Sequence, residues 1–106
     1  MSIPEITPTE FVARRNRGEI FTLLDVREPW ELEVASVADA VHIPMADVAA
    51  RIGELDAAKE TVVLCRSGRR SLEVAKYLER NGFRAVNLAG GILAWSQEVD
   101  ATIPTY

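Results

Sequence analysis

Thr61-Val62-Val63-Leu64-Cys65-Arg66-Ser67-Gly68-Arg69-Arg70-Ser71 is the stretch that decides how this chain folds. Thr61 to Leu64 is β-branched and apolar, which predicts a buried strand. The residues that follow are polar, basic and broken by Gly68. From Ser71 to Asn81, Leu72, Val74, Ala75 and Leu78 make one apolar face, which predicts a helix stopped by Gly82. A buried strand running through a short loop into a helix is half of a βαβ unit.

The same alternation extends in both directions. Upstream, Thr7-Pro8-Thr9-Glu10 reads as a helix start, with Thr7 as N-cap, Pro8 in the first turn and Glu10 completing a capping box; Gly18 is placed to end that helix. Ile20 to Val26 is a nearly continuous apolar run, suited to a strand covered on both faces. Glu28 to Val34 reads as a short helix after the break at Pro29, and Val41-His42-Ile43 as a short strand before Pro44. Met45, Val48, Ile52 and Leu55 fall at helical spacing. Downstream, Arg84 to Leu88 reads as a strand, and Gly90-Gly91 turns into a last helix through Trp95. Alternating strands and helices predict an α/β fold, a mostly parallel sheet with helices on both faces. In such sheets ligands sit where strands end and helices begin, which singles out the junctions after Val26 and after Leu64.

Composition narrows the function. A chain of 106 residues argues for one domain spanning 1–106, and 48% hydrophobic residues for a folded one. Twelve basic against 16 acidic residues leave a net charge of −4, which argues against nucleic acid or an anionic membrane as the general partner. Cys65 is the single cysteine and His42 the single histidine, so neither an internal disulfide nor a structural zinc site is expected. Met1 to Glu5 has no basic, apolar secretory pattern and no apolar run is long enough to span a bilayer, so the expectation is a reducing, cytoplasmic setting.

The junction after Leu64 carries the chemistry. Arg66, Arg69 and Arg70 crowd into six residues of an acidic protein. If the loop curls around the sulfur, its main-chain N–H groups converge into an anion-binding nest, with a helix N-terminus behind them. Both favour a thiolate. An ordinary cysteine near pKa 8.5 is only a few per cent ionised at pH 7, and lowering it by about two units takes roughly 2.7 kcal/mol of stabilisation. A few loop amides and a helix end can supply that without a base. The bland reading of Cys65 is a small buried hydrophobe at a strand end; the strand–Cys–Gly/Arg–helix setting favours a reactive cysteine. Arg66 and Arg69 read equally as surface charges and as binders of an anionic substrate. Arg70 reads as closing the loop. Ser67 and Ser71 are candidate donors to the sulfur or an oxyanion, Ser71 alternatively a helix cap.

The chain resembles the rhodanese family over nearly its whole length, on three motifs in order: Leu23-Leu24-Asp25-Val26-Arg27-Glu28-Pro29, the loop Cys65-Arg66-Ser67-Gly68-Arg69-Arg70-Ser71, and Leu88-Ala89-Gly90-Gly91-Ile92-Leu93-Ala94-Trp95. The resemblance implies a three-layer fold with a five-stranded parallel sheet. It implies no metal or other cofactor. It also implies a sulfurtransferase: Cys65 takes sulfane sulfur from a donor such as thiosulfate or a persulfide, and passes it to an external thiol, cyanide or a sulfur-carrier protein. Asp25 and Arg27, alone readable as a surface ion pair, become braces for the active-site loop. One stretch departs. Where the family usually shows Gly-His-Ile followed by Gly-Ala, this chain has Ala35-Ser36-Val37 and Asp39-Ala40, which puts the local turn in question. The tail Glu98 to Tyr106 resembles the end of rhodanese domains fused to ubiquitin-activating-type adenylyltransferases, which deliver sulfur to small carrier proteins.

Two other classes compete. A cysteine phosphatase of this fold has five residues between Cys and Arg, whereas four separate Cys65 from Arg70, a cradle fitted to sulfur. A non-catalytic binding module remains, against which the intact cysteine and basic loop speak.

Overall fold

Thr7 caps the first helix as its sequence demands. The structure, a computed structural model, describes residues 2–106; Met1, part of the N-terminal stretch read above, lies outside them. Helix α1, Pro8–Asn16, opens with the Thr7 side chain accepting from the Glu10 N–H and the Glu10 side chain accepting from the Thr7 N–H. The strands are β1 Glu5–Ile6, β2 Phe21–Asp25, β3 Val41–His42, β4 Glu60–Leu64 and β5 Ala85–Leu88. Between them lie α2 Pro29–Val34, α3 Val48–Arg51, α4 Arg69–Arg80 and α5 Gly91–Glu98.

The strands form one parallel sheet in the order β1-β5-β4-β2-β3. Leu23 faces one side and Leu24 the other; Val62, Val63, Leu64 and Cys65 alternate likewise. One face packs Leu24, Val63 and Cys65 against Val48, Val74, Ala75 and Leu78 from α3 and α4. The other packs Leu23, Val62, Leu64 and Leu88 against Phe11, Ile92 and Trp95 from α1 and α5. Strands buried on both faces read as unbroken apolar runs, which is why β2 and β4 were visible in the sequence.

The chain moves outward from β2 to β3, then crosses back to start β4 on the other side of β2. The order therefore reverses between β2 and β4, and the crevice outside their carboxyl ends is the topological switch point. Asp25 pairs with Leu64 across it, and the Val26 N–H donates to the Leu64 carbonyl at 3.0 Å. The two junctions singled out by the sequence are thus one place.

Several elements differ from expectation. Strand β1 carries no local signal; its two residues become a strand only by pairing with Asn87 and Leu88. Pro29 opens α2 rather than breaking the chain. The stripe from Met45 to Leu55 is not one helix: 3-10 turns at Met45–Asp47 and Ile52–Glu54 flank the single α turn of α3, and Met45 is exposed. Helix α4 begins at Arg69, two residues earlier than the apolar face indicates. In the departing stretch, Ala35 and Val37 are core residues, and Asp39 takes φ +66. Aspartate tolerates the left-handed region better than most residues, so Asp39 serves where the family pattern has glycine. Among the described residues no helix is long and apolar enough to cross a membrane.

Candidate active site

Cys65 follows the last residue of β4 and is 1% exposed, its sulfur turned to the α3/α4 side of the sheet. The chain then wraps round that sulfur. The Gly68 N–H donates to Cys65 Sγ at 3.1 Å, and the Ser71 hydroxyl lies at 3.3 Å. Gly68 holds φ +100 at the N-cap of α4, a conformation a side chain would resist. Burial pushes the Cys65 thiol up. The Ser71 hydroxyl and the main-chain N–H groups of Ser71, Gly68 and Ser67 outweigh it, so the thiol lies below the ordinary cysteine value. The loop thus turns main-chain N–H groups towards the sulfur, and Ser71, two residues inside α4, is not the helix cap, a position Gly68 holds.

The third motif explains its own glycines. Gly90 and Gly91 adopt φ +75 and +60, and this turn drives the N-terminus of α5 against the loop. There the Ile92 N–H donates to the Cys65 carbonyl at 2.9 Å and the Leu93 N–H to the Arg66 carbonyl at 3.2 Å. A helix start that normally leaves its N–H groups unpaired here satisfies loop carbonyls.

The first motif meets the loop only at one remove. Arg27 and Asp25 are 0% and 1% exposed and bonded at 2.8 Å, not a surface pair. Asp25 also accepts from the Arg27 main-chain N–H, and Arg27 Nη1 reaches the Glu31 carbonyl and the Tyr106 hydroxyl. None of these bonds goes to the cysteine loop. The link is Glu31, buried in α2, which the sequence reading passed over. Its carboxylate accepts from Arg70 at 2.6 and 2.8 Å, from the Tyr106 hydroxyl at 2.6 Å and from the Glu28 N–H at 3.0 Å. Arg70 accordingly ties the loop to α2. His42 bonds through Nε2 to the Arg27 carbonyl, holding the same turn.

The Arg70 guanidinium, with Tyr106 and Glu28 helping, holds the Glu31 carboxyl down to about 2 from an ordinary 4.5. A depressed carboxyl stabilises fully above its unfolded value and loses that contribution as pH falls through its folded one. The window is therefore about pH 4.5 down to 2. The full shift is at most about 3 kcal/mol; Arg70 is 35% exposed, and solvent screening trims it towards roughly 2 kcal/mol. Urea midpoints across that window should fall more steeply for the wild type than for Glu31→Gln. Parallel slopes would remove Glu31 from the acid response.

The remaining arginines diverge. Arg69 is exposed in the first turn of α4. Arg66, also exposed, donates to the Tyr106 main-chain oxygen and lies 5.2 Å from the ring centroid of Tyr106. Trp30 meets the same ring edge-on. A chain of hydrogen bonds runs from Ser71 to Asn87 at 2.5 Å, both buried, and on from Asn87 to the exposed Glu5 at 2.7 Å. A lone polar residue inside the apolar strand Ala85–Leu88 was the available signal for Asn87. Among the described residues no cluster of His, Cys, Asp and Glu is suited to a metal ion.

Comparison with known proteins agrees with this architecture. A family profile described as the rhodanese-like domain matches residues 7–98. YtwF of Bacillus subtilis, provisionally named a sulfurtransferase, is 42% identical over 98 residues, 92% of this chain and 95% of that protein. A maize protein named adenylyltransferase and sulfurtransferase MOCS3-2 is 35% identical over 95% of this chain, which spans only 23% of the maize protein. The crystal structure of a rhodanese-related protein from Thermoplasma volcanium superposes with a TM-score of 0.83 at 30% identity, covering 91% of this chain and 93% of that one.

Proposed function

The chain belongs to the rhodanese-like domain family, and from that premise we propose that it is a sulfurtransferase working through a persulfide on Cys65. The observation that carries this reading is the sulfur itself, held by the Gly68 N–H and the Ser71 hydroxyl at the switch point of the sheet. The relatives named as sulfurtransferases support sulfur transfer as the reaction type.

In the first half-reaction the Cys65 thiolate attacks the sulfane sulfur of the donor. A new S–S bond forms on Cys65, the donor's own bond to that sulfur breaks, and the leaving group departs with the electron pair, as sulfite when thiosulfate is the donor. In the second, an acceptor nucleophile attacks the outer sulfur and Cys65 leaves as thiolate. No net oxidation occurs and no cofactor is needed. Ser67, Gly68 and Ser71 stabilise charge on the inner sulfur. Arg66 and Arg69 attract the anionic donor. Arg70 keeps the loop closed through Glu31, with Asp25 and Arg27 as the brace beneath. With a single cysteine the sulfur must leave for an external acceptor: a thiol, cyanide or a sulfur-carrier protein. The last of these is favoured by the tail and by the maize relative.

Thiocyanate formation from thiosulfate and cyanide tests the reading. Arg66→Ala and Arg69→Ala are each expected to raise KM for thiosulfate about tenfold, one exposed charged contact to an anion being worth roughly 1–1.5 kcal/mol. An unchanged KM in both would return these arginines to surface charges. Release of phosphate from an aryl phosphate without any sulfur transfer would replace the reading with a phosphatase.

A further inference from the structure

Asn87 sits in β5 at 1% exposure, and every polar atom of its amide is committed. Nδ2 donates to Glu5 Oε2 at 2.7 Å and to the Gly68 carbonyl at 3.0 Å. Both partners are pure acceptors, so both amide protons are spoken for and the amide cannot turn over. Oδ1 therefore faces Ser71, 2.5 Å from its hydroxyl oxygen. Two oxygens that close require a proton between them, and Asn87 Oδ1 has none to give; the proton is that of Ser71. The Ser71 hydroxyl, fully buried, is also the group 3.3 Å from Cys65 Sγ. It has one proton and two acceptors.

We propose that Asn87, locked by Glu5 and the Gly68 carbonyl, is a positioning residue that competes with Cys65 for the single proton of Ser71. The inference rests on the reading of Cys65 as the sulfur carrier. While the inner sulfur is uncharged, as thiol or as persulfide with its charge on the outer sulfur, Ser71 donates to Asn87. When Cys65 is a free thiolate, the hydroxyl must rotate towards sulfur and give up its short bond to Oδ1. No covalent bond changes in this step. The free thiolate therefore keeps only part of what Ser71 offers, whereas the loaded form keeps the Ser71–Asn87 bond whole. Asn87 tilts the protein towards holding sulfur and leaves the unloaded thiolate the more nucleophilic.

The test is a double-mutant cycle on the unloaded protein, reading the midpoint of Cys65 alkylation rate against pH. Asn87→Ala removes the competitor but also frees the Gly68 carbonyl, so it is made both with Ser71 and with Ser71→Ala. With Ser71 present, the substitution should move the midpoint lower, relative to its effect in Ser71→Ala, by about half to one pH unit, the worth of one hydrogen bond. Glu5→Gln, a change at an exposed position, leaves the buried Asn87 amide in place and weakens its lock. It should show a coupling of the same sign and smaller size, and it stands in if Asn87→Ala does not fold. Equal shifts with and without Ser71 would overturn the proposal and leave Asn87 as a support for the loop alone. Sulfur loading of the wild type is measured separately by mass, so failure of this coupling and failure of the sulfur-carrier reading are told apart.

Discussion

Gly91→Ala is expected to destabilise the protein by about 4 kcal/mol and to cut sulfur transfer roughly 100-fold in whatever remains folded. At φ +60 the new Cβ would fall within 2.5 Å of the Cys65 carbonyl oxygen and nearer still to that of Arg66. The neighbours are main chain and cannot rotate away. The left-handed conformation alone costs an alanine about 1–2 kcal/mol. Moving the loop to make room stretches the Ile92 and Leu93 bonds to Cys65 and Arg66, each worth about 1 kcal/mol. Displacing the loop also turns the Gly68 N–H off the sulfur, so the activity loss should appear in kcat as well as in Tm. A Gly91→Ala protein with wild-type Tm and kcat would mean that the close approach of α5 to the loop is dispensable.

The second large effect is at Arg27. Arg27→Leu leaves Asp25 as a buried carboxylate without its partner, a defect that typically costs about 3–5 kcal/mol. For a chain of this size that is a fall of roughly 15–25 °C in Tm. The bonds to the Glu31 carbonyl and the Tyr106 hydroxyl are lost at the same time. Replacing both members, Asp25→Leu with Arg27→Leu, should recover much of the stability, because the uncompensated charge is then gone. If the double variant is as unstable as the single one, the damage lies in the lost support to α2 and Tyr106, not in the stranded carboxylate.

What was legible in the sequence was what is encoded locally. The Thr7 cap, the apolar runs of β2 and β4, and the cysteine loop each carry their own signal within a few residues. Strand β1 does not: Glu5 and Ile6 are a strand because β5 lies beside them. The start of α4 was misplaced because its N-cap is Gly68 in a left-handed conformation, with no side-chain cap to announce it. The same divide runs through the site. Cys65, Gly68 and Ser71 were found because they are neighbours in one loop. Glu31, Asn87 and Tyr106 were not, because each reaches the loop or its brace from a distant element: Glu31 meets Arg70 across 39 positions, Asn87 meets Ser71 across 16, and Tyr106 meets Arg27 across 79. Asp25 and Arg27 were identified through their motif, but their burial, and the relay through Glu31, came only from the fold.

Intact mass after incubation with a sulfur donor tests the central claim most directly. Thiosulfate and a low-molecular-weight persulfide are each mixed with the wild type and with Cys65→Ser, and a thiol acceptor is then added. The wild type should gain the mass of one sulfur atom and lose it again to the acceptor, while Cys65→Ser gains nothing. A wild type that takes up no sulfur from either donor, or a Cys65→Ser protein that loads as well as the wild type, would contradict the assignment of Cys65 as the sulfur carrier.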